Sequence, residues 1–590
     1  MTKKAINNAI VFFSVAICLA LFQVYVALSS PQVPYMDTML FIVQIDRIIQ
    51  GEISWFDVYG AGEHRGFVFP LVTAIEWGLW GLDARVSTVL TGFVVAIIFY
   101  HWLKAFMLSQ QDSVSVNQQQ PLITAVIACL AAAIIASPAG FELWTLSLGF
   151  AQLLKNLLIV IFLYQLAIKK TWNQSVFGAV FYGVWGGVLI LFATYGWSYP
   201  FLAASFFVLF ATSLHGPEYR KNAALVFGVM LLAQIIYIYS GSGIFSNSSN
   251  ANARDFPIAN MINGFFYGAG TAFMGGESIT KWALPLGIPI AFGVVLLILC
   301  FFTLLIILMQ QSPAKIFLGS MLVFALTVLA GVTLARGGVE FTNTGASRYF
   351  VDYVWLLLAP LAIIFTTHSF PLISNQRYRF ISPVKFLWLL KSIMAALLIA
   401  AIIGHIATWS AELKTVPYRA ATLEAMASVY RNGVQNNEDA LLLQSPYSVA
   451  KRGVEVAQHY ELAVLRHDEP RCTLKNATYR GDWYAPESES NDARWMGKQG
   501  VIALSKCTAV ATIKGYLPEN FSQRTLNITY GNKQDVISIE PGKEFLLRLD
   551  QMNLKRTTVT LQLDQVTSPL QAGIGADARE LGLLLTYIGE

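Results

Sequence analysis

Two stretches of this chain concentrate side chains able to move a proton or hold an anion. The first, PQVPYMDTMLFIVQIDRIIQGEISWFDVYGAGEHRGF, starts at Pro31, with Asp37 near its beginning and Glu63-His64-Arg65 near its end. Asp37 and the Glu63–Arg65 trio each abut an apolar run, so they mark a boundary between hydrocarbon and water. Asp46, Glu52 and Asp57 between them read as ordinary solvated charges. The second stretch, RGGVEFTNTGASRYFVD (336–352), sets Arg348 and Tyr349 about one helical turn before another apolar run. A guanidinium at that depth can grip a phosphate through paired hydrogen bonds in low dielectric. The same Tyr–Arg pair also suits a plain interface anchor. A carboxylate such as Asp37 is able to act as a general base toward a hydroxyl. Segment 137–156 adds Glu142, Trp144 and Lys155, and the Gly/Ser/Asn-rich loop 241–283 reads as either a lid or a linker. The acidic residues have no metal-ligand spacing, and Walker and Rossmann glycine patterns are absent, so neither a metal nor a cofactor is expected. His101, His215 and His405 are isolated near the ends of apolar runs and read as non-catalytic.

The elements that must position these residues follow from composition. The chain has 590 residues, 55% of them hydrophobic and 13% charged, with a mean hydropathy of +0.54. A soluble protein carries about 25% charged residues, so a single soluble enzyme is excluded. Residues 1–410 hold 20 Lys/Arg and 14 Asp/Glu, whereas 411–590 hold 20 and 21. The first part belongs in lipid and the second in water. The net charge of +5 divides into +6 and −1, which reflects loop orientation and gives no nucleic-acid footprint. Runs long enough to cross about 30 Å of hydrocarbon fall at 8–29, 84–108, 121–139, 151–168, 177–195, 198–214, 223–240, 284–309, 316–335, 353–370 and 386–409. Segment 66–82 is short and carries Pro70 and Glu76. Keeping it from crossing puts the loop Lys/Arg on one side and most acidic residues on the other. The bias predicts eleven spans, a cytoplasmic N-terminus and an external C-terminal domain. In 38–49, Phe41, Ile45, Ile48 and Ile49 form one apolar stripe, which predicts an amphipathic helix on the bilayer surface.

Past the last span, 411–469 reads as helix and loop. From 470 onward come short alternating runs (VIALSK, AVATIKGYL, RTLNITYG, DVISIEP, EFLLRLD, TTVTLQLD, LGLLLTYIGE) with turn residues between them, predicting a β-sandwich. Cys18, Cys129 and Cys300 lie within spans, where burial as apolar residues is expected. Cys472 and Cys507 lie in the outer domain, where an oxidising compartment permits a disulfide. Trp483, Tyr484 and Trp495 either stack on sugar rings or pack the sandwich edge.

In this order the features resemble the GT-C class of multispanning glycosyltransferases, which take a sugar from a polyprenyl-phosphate carrier. The resemblance rests on Asp37 in PYMD after the first span, with an amphipathic helix following. It also rests on G-x-x-x-W…EHR-x-x-x-x-P (Gly51, Trp55, Glu63, His64, Arg65, Pro70) and on the triplet Ser347-Arg348-Tyr349. DWYAPESESNDARWMGKQGVIAL with the closing DARELGLLLTYI resembles the jelly-roll domains appended to bacterial cell-surface glycosyltransferases. The resemblance implies a multi-pass protein of the bacterial inner (plasma) membrane, with a catalytic membrane domain over 1–410, a helical linker over 411–469 and a periplasmic jelly roll over 470–590. It implies Asp37 as base of an inverting transfer, with Arg65, Arg348 and His64 on the donor phosphate. Glu63, Tyr349 and Lys155 become substrate contacts. The expected partners are a polyprenyl-phosphate-linked sugar, membrane lipid, and an acceptor that is a glycan, a lipopolysaccharide intermediate or a pilin-type protein. Arabinofuranose, glucose and similar sugars all stay open as donor. The rival readings are a lipid-linked glycan transporter or flippase, an oligosaccharide ligase or polymerase, and a non-catalytic protein with a glycan-binding module.

Overall fold

The computed structural model describes residues 3–29, 31–59, 65–111, 121–240, 258–310, 312–336, 340–368, 383–466, 474, 477–488, 491–505, 510–531, 533–550, 556–573 and 576–589. The chain divides into two compact units, Met1–Ala425 and Met426–Glu590.

The first unit is helical, as its long apolar runs require. In chain order it contains α1 (Lys3–Ser29), α2 (Thr38–Ile49), α3 (Val68–Trp80), α4 (Ala84–Gln111), α5 (Pro121–Ile135), α6 (Phe141–Thr145), α7 (Leu148–Tyr164) and α8 (Val176–Val188). There follow α9 (Ser198–His215), α10 (Arg220–Tyr239), α11 (Ile258–Gly270), α12 (Gly276–Lys281), α13 (Gly287–Met309), α14 (Pro313–Arg336), α15 (Phe350–Thr366) and α16 (Pro383–Asn432), whose residues from Met426 on belong to the second unit. Among the described residues, 10 continuous helical stretches are long and apolar enough to cross a membrane. The eleventh expected span is α9, whose 18 residues rise about 27 Å. The 13 residues of α3 rise only about 20 Å, short of the ~30 Å hydrocarbon core. Gly81 ends α3 in a left-handed conformation (φ 62°), donating its N–H to the carbonyls of Glu76 and Trp77.

Burial sorts the helices into centre and rim. The stretch containing α15 is 94% buried, against 28% for α1. An apolar helix that leaves most of its surface uncovered, as α1 does with Phe12 and Phe13, is built to face lipid. Helices α14, α13 and α4 pack directly against α15.

Two expectations change. The helix expected at 38–49 forms with those bounds, but its buried face is Thr38, Met39, Phe41, Ile42, Ile45 and Asp46. Ile49 points outward and Asp46 inward, so Asp46 is not a solvated charge. Gln50 donates to it at 2.9 Å. The stripe rotates because Ile49 can face the surroundings of a membrane helix at little cost, while Asp46 needs a hydrogen-bonding neighbour. The loop expected over 241–283 is helical in much of its described part, where α11 packs on α13.

In the second unit, α17 (Asn437–Leu442) and α18 (Tyr447–His459) precede the strands. Gln458 Nε2 donates to the Tyr430 carbonyl at 2.7 Å, tying α18 to the last turns of α16. The strands are β1 (Thr478–Ser488), β2 (Asn491–Ser505), β3 (Val510–Tyr516), β4 (Arg524–Tyr530), β5 (Lys533–Ile539), β6 (Glu544–Asp550), β7 (Arg556–Leu563) and β8 (Leu583–Gly589). All pairs are antiparallel, in the order β5-β4-β7-β2-β8-β3-β6, with β1 on β2. The result is one connected, barrel-like sheet in place of the two facing sheets of a sandwich. The 15 residues of β2 explain the difference. Arg494–Met496 pair with β8 while Gln499–Ser505 pair with β7, so a single strand joins both arms around one apolar core.

Candidate active site

Asp37 is placed by the turn leaving α1. Pro31 and Pro34 cannot donate backbone hydrogen bonds there, and Met36 adopts a left-handed conformation (φ 58°). That conformation costs a residue with a Cβ about 1–2 kcal/mol. Asp37 then occupies the N-cap position of α2 without a side-chain capping bond and borders a cavity of about 390 Å³. Phe41 of α2, Phe69 of α3 and Tyr195 form an aromatic wall, with Phe69 and Tyr195 centroids 4.0 Å apart. Tyr195 is also left-handed (φ 42°). Two strained non-glycine residues on one cavity is a pattern found at ligand sites.

Glu142 reaches the same cavity from α6. This short helix is fixed on both sides. Before it, the Ser137 carbonyl accepts from Trp144 Nε1 at 2.9 Å, and Ser137 Oγ lies 2.8 Å from His405 Nδ1. After it, Gly149 passes so close to the Leu143 carbonyl that a Cβ would collide with it. Glu142 then uses both oxygens on the Ser-Arg-Tyr triplet. Arg348 Nη2 lies 3.1 Å from Oε1, and Ser347 Oγ donates to Oε2 at 3.1 Å. The Arg348 side chain stays 44% exposed, so the pairing orients it without enclosing it. Arg336, at the C-terminal end of α14, and Tyr349 also line the cavity. Two carboxylates and two guanidiniums therefore share one solvent-reachable space, in which a hydroxyl can lose a proton and a phosphate can be neutralised.

Outside the cavity a second set of charges braces its walls. Glu412 of α16 accepts from Tyr25 Oη at 3.1 Å, Lys281 Nζ at 2.6 Å and Arg419 Nε at 2.9 Å. The Arg419 guanidinium lies 3.4 Å over the Phe141 ring, next to Glu142. This links α1, α12 and α16 to α6.

Lys155 does not line the cavity. It is fully buried, with its ammonium 3.8 Å from the ring centroid of Trp197, a cavity-lining residue. Asp352, also fully buried, accepts from Trp197 Nε1 at 3.2 Å and Asn156 Nδ2 at 2.9 Å. Lys155 and Asp352 thus hold the indole from behind, where a substrate contact was expected from Lys155.

Arg65 is placed elsewhere too. It is 6% exposed and donates through Nη1 to the Tyr237 carbonyl at 2.7 Å, at the end of α10. It does not border the Asp37 cavity. Helix C-terminal carbonyls attract cations, and an arginine beside hydrocarbon finds its acceptors there. Glu63, His64, Cys472 and Cys507 lie outside the described residues. Trp483, Tyr484 and Trp495 are partly buried against the sheet core. Tyr484 Oη donates to the Glu580 carbonyl at 3.2 Å, and Trp483 packs on Tyr479 at 5.0 Å. Arg579 pairs with Asp577 at 2.7 Å and holds that carboxyl below its ordinary range. His405 is a satisfied core histidine, bonded to Ser137 and to the Ala272 carbonyl.

The cavity residues that motif reasoning left unassigned are Glu142, Arg336, Gln152 and Trp197. Glu142 left a signal, as the sole acidic residue of 137–156. Arg336 and Gln152 come from helices whose facing is set only by packing, and Trp197 from the turn that leads into α9. No protein-family model, curated protein or solved structure matches this chain.

Proposed function

We propose that the membrane unit transfers a sugar from a polyprenyl-phosphate donor to an acceptor hydroxyl at the outer face of a bacterial plasma membrane. The observation that carries this reading is the shared cavity of Asp37, Glu142, Arg336 and Arg348. Asp37 takes the acceptor proton while the acceptor oxygen attacks the anomeric carbon from the face opposite the phosphate. The carbon–oxygen bond to phosphate breaks, and its electron pair leaves on the lipid phosphate. Arg348 and Arg336 balance that growing charge, and Glu142 keeps Arg348 in place. The product is inverted. The Lys/Arg bias of the loops supports a cytoplasmic N-terminus and a periplasmic second unit. The acceptor classes are a cell-surface glycan, a lipopolysaccharide intermediate or a pilin-type protein.

The test is transfer from a panel of synthetic polyprenyl-phosphate sugars by purified wild type and Asp37→Asn, with donor binding measured alongside. Transfer lost with binding kept supports the base assignment. Undiminished transfer by Asp37→Asn removes Asp37 from that role. No turnover with any donor overturns the enzyme reading.

One observation favours a second reading. Lys155 and Asp352 are ionisable residues buried among membrane helices, a feature of transport pathways. A lipid-linked glycan transporter would move a labelled donor across vesicles without forming a new glycosidic bond.

A further inference from the structure

At the end of α1 remote from Asp37, a second and larger cavity opens between α1 and α4. It holds about 1070 Å³, at the upper end of the ~300–1,000 Å³ common for small-molecule sites. Its α1 wall is Val11, Phe12, Val15 and Leu19, and Tyr100 and Lys104 stand on α4. Asn7, Asn8 and Gln111 supply polar groups toward one end.

Helix arithmetic sets the depth of each group. Lys104 is twenty residues past Ala84 at the start of α4, about 30 Å along the axis, which equals the ~30 Å hydrocarbon thickness. Asn8 is about 32 Å from Ser29 at the end of α1 by the same rise. The cation and the amides therefore share headgroup depth, in the leaflet opposite the Asp37 end. Val11 to Leu19 covers about 12 Å, close to the ~15 Å of one leaflet's hydrocarbon. The cavity is apolar where acyl chains lie and polar where headgroups lie.

Lys104 supplies the charge that selects an occupant. Its ammonium lies 5.7 Å from the Tyr100 centroid and 5.9 Å from that of Tyr164. Tyrosines neighbour it, and no described carboxylate pairs with it. The Tyr100 and Tyr164 hydroxyls hydrogen-bond the ammonium without neutralising it, so an anion in this groove gains an attraction that no described carboxylate offsets.

We propose that this groove holds one anionic phospholipid of the surrounding bilayer. An acyl chain lies along Val11–Leu19, the phosphodiester sits at Lys104, and Asn7, Asn8 and Gln111 hydrogen-bond the glycerol and headgroup. The site is separate from the Asp37 cavity and independent of the transfer reaction.

The test extracts the full chain from vesicles of equal phosphatidylglycerol and phosphatidylcholine and identifies retained lipid by native mass spectrometry. Wild type should hold one phosphatidylglycerol in preference to phosphatidylcholine by about fivefold, the effect of a single lysine near anionic lipid. Lys104→Gln should bring that ratio close to one. Val15→Trp, which fills the apolar wall, should lose the held lipid of either class while thermal unfolding in detergent shows a folded chain. Lys170→Gln is the control, since Lys170 also lies over a tyrosine, 5.4 Å from Tyr219, but outside the groove. A wild type that retains no lipid overturns the site. So does a ratio that survives Lys104→Gln, retention by Val15→Trp, or an equal loss in Lys170→Gln.

Discussion

The Asp37 cavity and the cluster behind Trp197 contain the same kinds of charge in opposite circumstances. In the cavity, Glu142 holds Arg348, yet the arginine keeps 44% of its side chain exposed. Behind Trp197, Lys155 and Asp352 are sealed, and their neighbours are Asn156 and the indole. An exposed, oriented cation can meet an incoming phosphate. A sealed one can act only on what touches it, here the aromatic wall. Under the proposed function the difference separates residues placed to meet substrate from residues that hold the cavity wall, although both kinds are charged and lie near the same stretch of sequence.

The largest effect is expected on the open side. Asp37→Asn should lower sugar transfer by about 10²–10⁴-fold, the usual contribution of a general base, with donor binding retained. On the sealed side the loss should fall on stability. Asp352→Asn keeps one of the two acceptor oxygens that Trp197 and Asn156 use and strands the Lys155 ammonium, at a cost of about 3–5 kcal/mol. Thermal unfolding of the detergent-solubilised chain measures it. Adding Lys155→Met should restore most of that loss, because removing both charges of a buried pair is often neutral. If the double variant is no more stable than Asp352→Asn, the two residues do not act as a pair. Trp197→Phe should come next. It deletes the indole N–H donated to Asp352, costing about 1–3 kcal/mol, and raises the KM for donor more than it lowers kcat. An equal fall in kcat with unchanged KM would place Trp197 among the reacting groups.

Much of this contrast was hidden in the sequence, for identifiable reasons. Hydropathy located the spans and the C-terminal change to alternating runs, because span length and strand alternation are local properties. The ends of α2 were legible at 38–49 for the same reason. Its buried face was not, since hydrophobicity alone ranks Ile49 above Asp46 for burial. A membrane reverses that ranking when the outward side also meets apolar surroundings. β1 was missed because Gly481 and Pro486 break its alternation, and irregular pairing with β2 occurs at those positions. The cavity depends on residues as far apart as Asp37, Glu142 and Arg348, and no local pattern sets that meeting. Arg65 stood in the same motif as Gly51 and Trp55, but a motif cannot show whether carbonyls at the end of α10 will engage the guanidinium first.

The smallest expected effect sharpens the comparison most. Arg47 and Glu52 form an ion pair at 3.1 Å, with side chains 47% and 51% exposed. Arg348 and Glu142 pair at the same 3.1 Å, with 44% and 16% exposed. By distance and by exposure of the arginine the two are near equals, and only the second borders the Asp37 cavity. A double-mutant cycle on Arg47 and Glu52 should therefore give about 0.5 kcal/mol or less of coupling, with transfer unchanged. Arg348→Lys keeps the charge and much of the pairing but loses the planar fork that fits phosphate. It should cost about 10²-fold in transfer, in the range for removing one preorganised donor. Equal, small effects from the two arginines would mean that the cavity confers nothing on Arg348, and the phosphate-binding role would fall with it.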